Sequence, residues 1–146
     1  MKALTSKIVV LALACGVALL PLAARAASLD QEFDCEKWSG GKELRCLFND
    51  GRGGPTAIVK VSNRGQEKVS FDADEYHSLC GFSSRQIGSS PYIAAPGAEV
   101  TVPVLAPGSG INCRELFIVN CRVNGVAKNC AEEISAKGYT WKGNKQ

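Results

Sequence analysis

Six cysteines between positions 35 and 130 constrain this 146-residue chain more than any other feature, because two pairs of them straddle hairpin centres. Gly40-Gly41 is a favoured two-residue centre, since glycine takes the positive φ that such turns require. Folding the chain there sets Ser39 against Lys42, Trp38 against Glu43 and Cys35 against Cys46. If that last pair is hydrogen-bonded, its Cα atoms lie about 5.5 Å apart, within disulfide reach. Asn124-Gly125 centres a second hairpin, with Cys121 opposite Lys128 and Cys130 diagonal to Cys121. A diagonal pair stands roughly 7–8 Å apart, so a Cys121–Cys130 bridge requires local distortion. That bridge is nevertheless favoured and leaves Cys80 for Cys113. The rival set pairs Cys113 with Cys130 and Cys80 with Cys121.

The cysteines need an oxidising compartment, and the N-terminus supplies the route. Lys2 and Lys7 precede an apolar run from Ile8 to Leu22, and Ala24-Arg25-Ala26 provides small residues at a cleavage point. Residues 1–26 therefore read as a secretory signal peptide, and 27–146 as a single β domain. Cys15 sits in a segment similar to a bacterial lipobox, but with the expected branched and small residues exchanged. It reads as one more apolar residue of a discarded segment. The expected location is the periplasm or the cell exterior.

The remaining sequence alternates strands with turns. Leu44–Asn49, Thr56–Ser62, Lys68–Ala73, Ala98–Leu105, Glu115–Val123 and Val126–Cys130 are rich in Val, Ile, Phe and Leu and are bounded by Gly, Pro, Asn or Ser. Ala57, Val59 and Val61 alternate with Ile58, Lys60 and Ser62, and Val69, Phe71 and Ala73 with Lys68, Ser70 and Asp72. Period-2 patterning predicts half-buried antiparallel strands. Pro103 has no N–H to give a ladder, so its strand belongs at an edge or carries a bulge. Ala131–Lys137 is the one helical candidate. The fold class expected is an all-β, disulfide-stapled antiparallel β-sandwich, with a small barrel as alternative. The spacing from Ala57 to Leu105 resembles the cadence of immunoglobulin-like domains, a likeness of architecture alone.

Charge narrows the function classes. Lys2, Lys7 and Arg25 are three of the 17 basic residues, which leaves 14 against 14 acidic ones in the mature chain. A near-neutral chain with no Lys/Arg cluster gives no footprint for nucleic acid. After Ala27 no apolar stretch approaches the roughly 20 residues of a membrane span. His77 is the only histidine; no serine sits in a Gly-x-Ser-x-Gly turn, and the cysteines are better explained as disulfides than as nucleophiles. His77 reads as a surface residue near a loop, and no catalytic set is expected. Asp72, Asp74 and Glu75 could serve a calcium site or a glycosidase pair, but no Asp-x-Asp-x-Asp-Gly loop is present. Transition metals lack ligands, so no cofactor and no metal is expected.

Recognition remains. Tyr76–Tyr92 reads as a long loop that presents Phe82, Arg85 and Tyr92 among serines and glycines, side chains that dominate protein interfaces. Ala106–Asn112, Tyr139 and Trp141 could extend that surface. The sequence thus leads to an exported binding module for another protein, with an inhibitor of a secreted hydrolase as the form that fits its size and staples. The alternatives are an envelope-assembly protein and a calcium- or carbohydrate-binding domain.

Overall fold

The computed structural model describes residues 29–49, 56–80, 84–105 and 113–141. Residues 1–26, expected to be a signal peptide, and Phe82 lie outside them, as does the segment 106–112. Among the described residues, ten strands form two antiparallel sheets packed face to face. In chain order they are β1 (Leu29–Asp34), β2 (Glu36–Trp38), β3 (Glu43–Phe48), β4 (Thr56–Asn63), β5 (Val69–Ser78), β6 (Arg85–Ala94), β7 (Glu99–Val104), β8 (Cys113–Val123), β9 (Val126–Ala127) and β10 (Ile134–Trp141). A single helical turn, α1 (Cys130–Glu133), precedes β10. The four-stranded sheet has the order β1-β10-β4-β7, and the six-stranded sheet β2-β3-β8-β5-β6 with β9 beside β8.

Alternation places the core as the sequence predicts. Ala57, Val59 and Val61 of β4 and Val69, Phe71 and Ala73 of β5 are buried between the sheets. They meet Leu44, Cys46 and Phe48 of β3 and Leu116 and Ile118 of β8. Phe33 of β1 lies across Gly138, with ring carbons 2.7 and 2.8 Å from where a Cβ would stand, and meets Phe48 edge-on at 5.1 Å. Only glycine at 138 leaves room for that ring. Pro103 falls on β7, an edge strand, as its missing donor demands. Pro91 also falls on an edge strand, β6.

All three bridges form in the favoured connectivity: Cys35–Cys46, Cys80–Cys113 and Cys121–Cys130. The first hairpin keeps the expected register, Trp38 opposite Glu43, around Ser39, Gly40 and Gly41 at φ of 53°, 69° and 89°. Cys35 and Cys46 stand 4.5 Å apart at Cα, the narrow spacing of a non-hydrogen-bonded pair. Cys35 N–H instead donates to Ala136 O of β10 at 2.9 Å, so this bridge joins the two sheets. In the second hairpin Lys128 N–H donates to Cys121 O at 2.8 Å. Regular pairing in this hairpin ends at Ala127, and the chain leaves the strand to enter α1 at Cys130, which stands 5.2 Å from Cys121 at Cα.

Three expectations are corrected. Tyr76–Tyr92 is not a loop: β5 continues to Ser78 and β6 starts at Arg85. The acids at 72–75 resemble a strand end, yet alternation accommodates them, and β6 shows no apolar period because an exposed edge strand has little to bury. Ala131–Lys137 is helical only to Glu133. From there β10 turns Ile134, Ala136, Gly138 and Thr140 inward, and these mostly small residues give little hydrophobic signal. His77 is not a surface residue but 8% exposed on the inner side of β5.

Candidate functional site

The outer face of the six-stranded sheet gathers side chains that are far apart in sequence. Parity decides which ones. Trp38 and Glu36 of β2 share a side with Glu43 and Arg45 of β3, and Arg45 stands opposite Phe117 of β8. Phe117 in turn stands opposite Asp74 of β5, next to Tyr76 opposite Glu115. Trp38 and Phe117 meet at 6.2 Å and Phe117 and Tyr76 at 5.4 Å, both edge to face. The result is an aromatic row drawn from β2, β8 and β5, three strands that are not consecutive in the chain.

Arg45 fixes one end of the row. Its Nη1 lies 2.7 Å from Glu36 Oε1 and its Nη2 2.8 Å from Glu115 Oε1, while the guanidinium sits 4.6 Å from the centre of the Trp38 ring. The hydrogen bond that Arg45 donates to Glu115, reinforced by Glu36, raises the Arg45 pKa further above its ordinary range. Trp38 nevertheless stays 43% exposed. Beyond Phe117 lies a concavity of about 220 Å³ lined by Glu43, Asp74, Tyr76, Glu115, Phe117 and Val119, with Ser84 beside them. A larger one of about 460 Å³ adjoins it past Glu43, lined by Lys42, Asn120, Arg122 and Lys128 among others.

Of the residues expected to bind a partner, Arg85 and Tyr92 stand apart. Arg85 is exposed at the start of β6, opposite His77, and Tyr92 lies opposite Phe71. Six positions of β5 separate those partners, roughly 20 Å at about 3.3 Å per residue. Tyr92 is half-buried and stacks on Phe71 at 5.6 Å, so it works in packing. Tyr139 and Trp141 stack at 6.0 Å on the opposite sheet and cannot extend a surface on this one. The trio Asp72, Asp74 and Glu75 is split by the pleat. Asp72 and Asp74 face outward, bonded by Asn120 and Ser89 respectively, while Glu75 faces inward. Among the described residues no three His, Cys, Asp or Glu side chains gather as a metal site, and no helix is long and apolar enough to cross a membrane.

Glu75 belongs instead to a buried polar cluster at one end of the sandwich. Leu105 N–H donates to Glu75 Oε1 at 2.9 Å, and His77 Nε2 lies 3.3 Å from the same oxygen. Arg114, 1% exposed, donates from Nη1 to Leu105 O at 3.1 Å. Both polar groups of the Leu105 peptide are thus held, which ties the exit of β7 to the other sheet. Burial pushes the Glu75 carboxyl above its ordinary pKa; His77, the Leu105 amide and Arg114 pull the other way.

Fold and site together define a class, the disulfide-stapled antiparallel β-sandwich with an aromatic, carboxylate-rich outer face. No protein-family profile, no curated protein and no solved structure matches the chain.

Proposed function

We propose that this chain is an exported protein-binding module, working in the periplasm or outside the cell, that recognises its partner through the outer face of the six-stranded sheet. The observation that carries this reading is the row Trp38–Phe117–Tyr76, held at one end by Arg45. Tryptophan, tyrosine and arginine are the side chains on which interface energy concentrates, and an exposed aromatic held in place loses little entropy on binding. The three closed disulfides fit an oxidising compartment. A stapled sandwich with a rigid face also fits an inhibitor of a secreted hydrolase, where preformed geometry favours tight association.

Affinity capture by the oxidised protein from its own envelope and culture fractions tests the reading. Trp38→Ala and Phe117→Ala are expected to weaken capture of a stoichiometric partner at least tenfold while the melting temperature of the Trp38 variant stays near that of the parent. Tyr139→Ala, on the opposite sheet, is expected to retain capture. Equal capture by all three variants rejects the face.

A further inference from the structure

Carboxylates on the two outer faces are treated differently. On the four-stranded sheet Glu32 and Asp34 lie 3.5 and 3.7 Å from Lys137, and Glu99 lies 3.6 Å from Lys60. On the six-stranded sheet Glu36 and Glu115 share Arg45. Glu43, Asp72 and Asp74 have no cation in ion-pair range among the described residues. Asn120 and Ser89 each donate one hydrogen bond, to Asp72 and Asp74 respectively, and as neutral groups leave the carboxylate charge in place. Within its strands this face thus carries five carboxylates against the guanidiniums of Arg45 and Arg122, with Lys42 and Lys128 outside the strands in the adjoining larger concavity.

We infer that the partner of this face is a basic protein surface, which seats a lysine or arginine side chain beside Tyr76 and Phe117. The inference rests on the binding role proposed above and names the partner's chemistry. Charge complementarity selects it: around the aromatic row the carboxylates of these strands outnumber their guanidiniums, and such a field steers cationic surfaces into contact. The concavity holds the volume of about seven waters at roughly 30 Å³ each, the scale of one side-chain head. Its lining supplies what a cation needs, carboxylates from Glu43 and Asp74 and the aromatic rings of Tyr76 and Phe117. The protein already makes this contact internally, where Arg45 lies over Trp38.

Blocked Gly-Arg-Gly, Gly-Lys-Gly and Gly-Glu-Gly peptides, titrated into isotope-labelled oxidised protein and followed by amide NMR shifts, test it. The Arg and Lys peptides are expected to move the amides around Glu43, Asp74, Tyr76 and Phe117, and the Glu peptide to leave them in place. Glu43→Gln and Asp74→Asn are each expected to weaken the Arg peptide about two- to fivefold. Raising salt from about 20 to about 300 mM is expected to weaken it severalfold. Shifts of equal size around Glu32 and Asp34, or silent Glu43 and Asp74 variants, overturn the inference. If the Trp38 variant loses its captured partner while salt and the charge variants leave capture unchanged, the face binds but its partner is not basic. If the Trp38 and Phe117 variants keep capture, the proposed role falls as well.

Discussion

Glu75 sets an acidic group in the place where a strand at this parity would bury an apolar one. Its carboxylate is retained because it accepts from the Leu105 amide and lies beside His77, but burial still raises its pKa above the ordinary 4.5. A carboxyl with a raised folded-state pKa gives up its proton more readily when unfolded. The folded state therefore binds more protons, and stability falls as pH rises from about the unfolded pKa through the folded one. Glu75→Gln keeps an oxygen for Leu105 and removes the titration. Thermal melts from pH 4 to pH 8 are expected to show a smaller loss of melting temperature with rising pH in the variant than in the parent. Parallel curves would mean that Glu75 does not contribute to the pH response. The sequence gives little sign of this residue's role, since Asp72, Asp74 and Glu75 look alike until the pleat sends one of them to the opposite side.

At the scale of elements, the two strand prolines explain how this sandwich ends. An unpaired strand edge is a template for other chains, and a proline on it removes a donor. β7 carries Pro103, whose edge position is legible in the sequence. β6 carries Pro91 and one charged residue, Arg85, in ten positions, with a register irregularity where Glu75 and Tyr76 meet it. Pro91→Val restores a donor to an exposed strand that has few other defences. Faster aggregation under mild heating, followed by light scattering, is the expected result; an unchanged rate would show that the irregularity suffices. β6 itself could not be read from hydrophobic period because its partner side is edge and solvent. β10 was hidden for a different reason, that Ala136, Gly138 and Thr140 fill the tight space under Phe33 and its neighbours without apolar bulk.

For the whole molecule the disulfides divide by what they join. Cys35–Cys46 links the backbone beside β10 to β3, and Cys121–Cys130 links β8 to the turn that enters β10, so both tie one sheet to the other. Cys80–Cys113 closes the ends of β5 and β8 within one sheet, and Cys80 is the exposed half-cystine of the six. Exchange requires access to a sulfur. Dithiothreitol without denaturant is therefore expected to open Cys80–Cys113 first, seen by mass spectrometry as early alkylation of those two residues. Earlier opening of either sheet-to-sheet bridge would contradict the burial of Cys46, Cys121 and Cys130. The sequence by itself determined the all-β class, the core faces of β4 and β5, both glycine-centred hairpins and the Cys35–Cys46 pair, because local spacing and strand parity carry that information, whereas it left the other four cysteines with two possible pairings. Only the tertiary structure decided which outward residues stand together. Trp38, Tyr76 and Phe117 meet because β8 lies between β3 and β5, and that order is set by packing of long-range strands, which no short stretch of chain encodes.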